Sequence, residues 1–85
     1  MTKKEIVETL ERLADEIEKG SKMNVYINNI MLTNKFSLNL EEVRFEVKKP
    51  CEYDSQYWVF LHAGYSVVTA IMEDNIEKIS IEVIK

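Results

Sequence analysis

An α+β architecture, one N-terminal amphipathic helix packed on an antiparallel sheet of about five strands, follows from three features of this 85-residue chain. Apolar residues recur at helical spacing over the first twenty positions or so, and beyond them apolar and polar residues alternate. The runs of alternation are joined by short connections. Short connections favour antiparallel neighbours, because a parallel pair needs a crossover of about a dozen residues or more. Residues 1–85 are expected to form a single domain, since a chain of this length leaves no room for two cores.

The helix is predicted over 3–19. Thr2-Lys3-Lys4-Glu5 has the spacing of a capping box, in which the Thr2 hydroxyl accepts from the Glu5 amide and the Glu5 carboxylate accepts from the Thr2 amide. Ile6, Val7, Leu10, Leu13, Ala14 and Ile17 fall on one face, and Glu8, Glu11, Arg12, Asp15, Glu16 and Glu18 on the other. Glu8 with Arg12 and Asp15 with Lys19 are spaced for i,i+4 pairs. Gly20 suits a left-handed cap at the C-terminal end.

The first strand is predicted over 23–32, where Met23, Val25 and Ile27 alternate with polar neighbours. Asn28-Asn29 tolerates positive φ and reads either as a tight turn or as a bulge within one longer strand. The second run, 36–48, changes its apolar phase between Leu40 and Val43, so Glu41-Glu42 marks a turn or bulge. Lys48 to Ser55, with Pro50 at its centre, is the one long loop signal. Strands at 57–63, 66–72 and 78–84 follow, with Gly64-Tyr65 and Glu73-Asp74-Asn75 as turns. Val67 to Ile79 also fits a helical stripe, and β-branched content favours strand. Helix-first order with about five strands is in addition similar to that of the small, strongly bent barrels of Sm-like proteins, a similarity of element order alone.

Composition restricts the chemistry. The chain holds one Cys, one His, one Trp, one Pro and two Gly. Two residues of the Cys/His type cannot supply the four ligands of a structural zinc site. Glu73, Asp74, Asn75 and Glu77 do not match the spacing of a calcium loop. Gly20 and Gly64 are too far apart for a phosphate-binding loop. Cys51 and His62 are the one pair from which a nucleophile and its base could be built, and each also reads as an ordinary loop or strand residue. No catalytic, metal or cofactor site is therefore expected.

The net charge of −4, with eleven Lys and Arg spread singly or in pairs, disfavours direct nucleic-acid binding, which draws on phosphate neutralisation. A basic protein partner suits this balance better. No apolar run approaches the roughly 20 residues of a membrane-spanning helix, and no N-terminal stretch resembles a secretory leader. With a lone cysteine, the expected setting is the reducing cytoplasm.

The least ordinary segment is aromatic: Tyr53, Tyr57, Trp58, Phe60 and Tyr65. Alternation puts Trp58 and Phe60 on one face and Tyr57, Val59 and Leu61 on the other, so both faces of the strand are apolar. The helix covers one of them. Barrel closure or another molecule must cover the second. The contact residues expected for a partner are therefore Tyr53, Tyr57, Trp58 and Tyr65, with the acids Glu41, Glu42, Glu46, Glu52 and Asp54. The expected function is a non-enzymatic protein-interaction module, a small acidic inhibitor or adaptor, similar in size and charge to phage-encoded inhibitors of bacterial defence systems. Two alternatives are a homo-oligomeric scaffold, at its simplest a homodimer paired through exposed strand edges, and a small-ligand binder or Cys/His enzyme.

Overall fold

The computed structural model describes residues 1–33 and 43–84. The helix α1 spans Lys3–Glu18, one residue shorter than expected because Lys19 serves as its C-cap. The capping box forms: the Thr2 amide donates to Glu5 Oε1 at 3.0 Å and the Glu5 amide to Thr2 Oγ1 at 3.2 Å. The bond from the Thr2 amide, and after it the Thr2 hydroxyl, hold the Glu5 carboxyl below its ordinary range. Gly20 closes the helix at φ 74°, in the left-handed region that a side chain would strain. Lys19 reaches Glu16 at 3.6 Å, in place of the expected partner Asp15.

Six strands follow, where about five were expected. Asn28 and Asn29 take φ of 51° and 69°, the paired positive values of a two-residue type I′ hairpin. The turn splits the expected 23–32 strand into β1 (Lys22–Ile27) and β2 (Ile30–Thr33). Asn28 also ties this hairpin to a distant segment. Its Oδ1 accepts from the Glu77 and Lys78 amides at 2.7 and 3.1 Å, and its Nδ2 donates to the Asn75 carbonyl at 2.7 Å. Of the expected 36–48 strand, β3 (Val43–Lys48) is described, and the turn or bulge at Glu41-Glu42 lies outside the described residues.

The remaining strands are β4 (Trp58–Ala63), β5 (Ser66–Met72) and β6 (Ile79–Ile84). Val67 to Ile79 is strand as far as Met72, because β5 pairs along its length with β4; a 3-10 turn at Glu73–Asn75 then leads to β6. Gly64 carries φ 60° as the first of two hairpin residues.

All the named pairings are antiparallel, and they form two three-stranded sheets, β2-β1-β6 and β3-β4-β5. A single sheet or a closed barrel is not formed, since among the described residues no ladder joins one sheet to the other. The corner at Glu73 gives the physical reason. Its amide donates to the Tyr57 carbonyl at 2.9 Å and its buried carboxylate accepts from the Tyr57 amide at 3.3 Å, with Lys3 Nζ 3.2 Å away. Held there, the chain leaves β5 for the other sheet.

The inner faces of both sheets and of α1 meet in one core. Ile6, Leu10 and Leu13 pack with Met23, Val25, Ile27 and Leu32 of the first sheet, Phe45, Val59 and Leu61 of the second, and Ile76 and Ile79. The helix touches β3 and β6, one strand from each sheet, and so closes a side of the core. Burying these side chains, at about 1.5–3 kcal/mol for each large one, dominates the stability.

Candidate protein-contact surface

The middle strand of the second sheet, β4, is apolar on both sides. Val59 and Leu61 of β4 are 1% and 2% exposed, facing the core. The residues between them, Trp58, Phe60 and His62, point the other way and are half-buried. Trp58 and Phe60 stack, with ring centroids 6.0 Å apart and planes inclined by 13°; Phe60 and His62 follow at 6.0 Å and 37°. This row of rings runs down the middle strand of the sheet.

Register fixes what flanks the row. On the β3 side, Lys48, Glu46 and Arg44 stand opposite Trp58, Phe60 and His62. On the β5 side stand Met72, Ala70 and Val67. The β4–β5 pairing shifts between Leu61 and His62, so that Thr69 faces Leu61 and Val67 faces His62, leaving Val68 as the extra residue of a bulge. Val67 and Val68 are consequently exposed, at 54% and 56%. The aromatic row is thus bordered by alternating charge on one side and by uncharged apolar side chains on the other.

The expected contact residues among those described divide among four places. At the Trp58 end of β4, Cys51 and Asp54 exchange backbone hydrogen bonds of 2.8 and 3.2 Å, and this tight hairpin presents Glu52 and the 93%-exposed Tyr53 to solvent. Asp54 is bonded inward: Oδ1 accepts from the Gln56 amide at 3.0 Å and Oδ2 from Trp58 Nε1 at 2.6 Å. These two donors, the Gln56 amide first, hold its carboxyl below the ordinary range. Tyr65 lies at the opposite end, fully exposed on the β4–β5 hairpin. Glu46 borders the row itself.

Tyr57 belongs to a fourth environment. It is half-buried against α1, and its hydroxyl donates to Glu11, whose other oxygen lies 3.2 Å from Lys49 Nζ. The bond pushes the Tyr57 hydroxyl above its usual range and holds the Glu11 carboxyl below it, Lys49 adding to the second effect. Glu41 and Glu42 lie outside the described residues. Phe60, His62, Val67 and Val68, absent from the expected set, lie at the centre and free margin of the surface. Strand alternation from Trp58 signals the first two, whereas the valines come forward through a bulge that composition does not mark.

Cys51 and His62 are not brought together. Cys51 follows the Lys48–Trp58 end of the sheet and His62 pairs with Arg44, four residues along β4, or about 13 Å of strand. His62 Nε2 is instead 3.5 Å from Glu46 Oε1, shielded from solvent and without a hydrogen-bond partner among the described residues. No group of three or more His, Cys, Asp or Glu residues among those described is placed to hold a metal. An open cleft of about 380 Å³ lies on the other sheet, lined by Met1, Tyr26, Asn29, Lys78, Ile79 and Ser80. That lining contains no carboxylate, imidazole or thiol. Among the described residues no helix is long and apolar enough to cross a membrane. No family model, curated protein or solved structure matches the chain.

Proposed function

We propose that this chain is a non-enzymatic protein-interaction module, a small acidic inhibitor or adaptor, whose contact surface is the outer face of the β3-β4-β5 sheet. The observation that carries this reading is the row of rings Trp58, Phe60 and His62, the first two stacked and the third tilted, half-buried and continuous with exposed Val67 and Val68. Aromatic side chains present large rigid areas with few rotatable bonds, and interface hot spots concentrate in them. Tyr53 and Tyr65 extend the surface beyond either end of β4. Net charge −4 adds long-range attraction for a basic partner, an attraction that salt screens.

Capture from the source cell with wild-type protein, with a Trp58→Ala/Phe60→Ala variant and with Tyr26→Ala, at low and high salt, tests the proposal. Tyr26 is the corresponding half-buried aromatic on the outer side of the other sheet. The expected result is a specific protein recovered by wild type and Tyr26→Ala, recovered less at high salt, and lost with the double variant. Recovery of no protein, or recovery indifferent to the double variant, overturns the reading.

A further inference from the structure

We infer that the cleft beside β6 binds a small carboxylate that carries an aromatic group. Its lining, Met1, Tyr26, Asn29, Lys78, Ile79 and Ser80, borders about 380 Å³, within the range of small-ligand pockets. The cleft lies on the β2-β1-β6 sheet, so the inference stands apart from the contact surface proposed on the other one.

The backbone supplies the first anchor. The Asn28 amide donates to the Lys78 carbonyl at 3.0 Å, so in the next pair of the ladder, Ile27 with Ile79, the amides point away from the neighbouring strand. The Ile79 side chain belongs to the core, and its amide turns to the outer edge of β6, where it donates to Met1 Sδ at 3.2 Å. A thioether is a weak acceptor. A carboxylate oxygen in its place accepts a charge-assisted bond, and Met1, unbranched and 52% exposed, swings aside to admit it.

Charge gives the sign of the ligand. Lys78 is the one side chain of the lining that is charged at neutral pH, and the acids nearest it in sequence, Glu77 and Glu82, are not part of that lining. Among the described residues Lys78 forms no ion pair. Tyr26, Asn29 and Ser80 add neutral donors. One cation among neutral donors balances a monoanion, whereas a phosphate monoester brings a second charge that nothing in the lining meets. The net charge of −4 does not decide the matter, because charges beyond about 8 Å are largely screened at physiological salt. The half-buried Tyr26 ring gives an aromatic body a surface to stack on.

Amide NMR titration with phenylpropionate, its primary amide and phenylpropylammonium, on wild type, Lys78→Met and Lys22→Met, tests the site. Lys22 is an exposed lysine at the far end of β1, outside the cleft. A probe of this size is expected to bind with a Kd of about 1–10 mM. Phenylpropionate should give saturable shifts at Ile79 and Ser80, with the Ile79 amide proton moving downfield as oxygen replaces sulfur. Binding should weaken about fivefold or more for the amide, for the ammonium and in Lys78→Met, and stay unchanged in Lys22→Met. No saturable shift at Ile79 up to about 50 mM, equal binding of the amide or the ammonium, or affinity that Lys78→Met leaves intact overturns the inference, as does affinity that Lys22→Met lowers equally. The three probes on wild type decide the case by themselves if a variant does not fold. Capture of a protein through Trp58 and Phe60 is a separate result, which neither outcome alters.

Discussion

The outer face of the β2-β1-β6 sheet presents Asn24, Tyr26, Ser80 and Glu82, with Asn24 Nδ2 donating to Glu82 Oε1 across the register at 3.4 Å. On the β3-β4-β5 sheet the same side presents Trp58, Phe60 and His62. Both sheets feed one core, so the demand for buried apolar area does not explain the difference. An antiparallel sheet with one solvated side ordinarily alternates apolar-in with polar-out, as the middle strand β1 of the first sheet does with Asn24 and Tyr26, although Met31 and Ile84 are exposed on the margins of that face. In the second the middle strand β4 keeps apolar side chains on both sides, its outer row lying between the charged residues of β3 and the exposed valines of β5.

Two truncations on neighbouring residues of β4 probe that difference most strongly. Leu61→Ala opens a cavity in the core and is expected to lower stability by about 2–5 kcal/mol. Phe60→Ala removes a half-exposed ring whose stacking contributes about 0.5–1.5 kcal/mol, so a loss of under about 2 kcal/mol is expected. Urea unfolding of both variants at neutral pH measures the ratio. Equal losses would show that the aromatic row is covered within the monomer, and the contrast between the sheets would disappear.

The hairpin that edges the polar sheet comes next in size. Asn28→Ala removes two accepted bonds and one donated bond and leaves a non-glycine residue at φ 51°. A loss of about 2 kcal/mol is expected. Amide exchange should loosen β1, β2 and the start of β6 while β4 and β5 stay protected, because Asn28 touches only the first sheet and the segment leading into β6. Equal loosening of β4 would instead make the two sheets one cooperative unit. Asn29→Gly is a useful control, since φ 69° suits glycine and the Asn-Gly pair is favoured in this turn; it should leave stability unchanged or raise it slightly.

Much of this architecture was legible in the residues. The capping box, Gly20 and the apolar stripe locate α1 to within a residue, since each is a local signal with a local cause. Alternation in Trp58–Ala63 assigns Val59 and Leu61 to the core and His62 to the opposite face, as found. Two sheets in place of one were not legible. That outcome depends on Glu73 bonding to Tyr57, sixteen residues away, and on Asn28 bonding to Glu77 and Lys78, about fifty away. Neither pairing leaves a trace in periodicity. The aromatic row of β4 was legible as an aromatic density in the sequence, but the exposure of Val67 and Val68 beside it depends on a register shift that only the ladder reveals.

The smallest expected effect tests whether Tyr57 belongs to the surface or to the frame beneath it. Tyr57→Phe keeps the ring and deletes the hydroxyl that donates to Glu11. Because the Glu11 side chain is 42% exposed, solvent weakens the pair, and a loss of about 0.5–1 kcal/mol is expected. Its pH dependence has a definite sign. The Glu11 carboxyl is held low in the folded chain, so its contribution is full above the unfolded carboxyl pKa of about 4.3 and is lost as pH falls through the lower folded value. The Tyr57 hydroxyl is pushed up, so the same bond contributes fully below the unfolded phenol pKa of about 10 and fades as pH climbs through the raised value. The difference in melting temperature between wild type and Tyr57→Phe should therefore be widest around neutral pH and narrow toward both extremes. A residue acting purely as a partner contact would give no such profile, and capture of the partner by Tyr57→Phe at wild-type level would place Tyr57 in the frame, apart from Trp58 and Phe60.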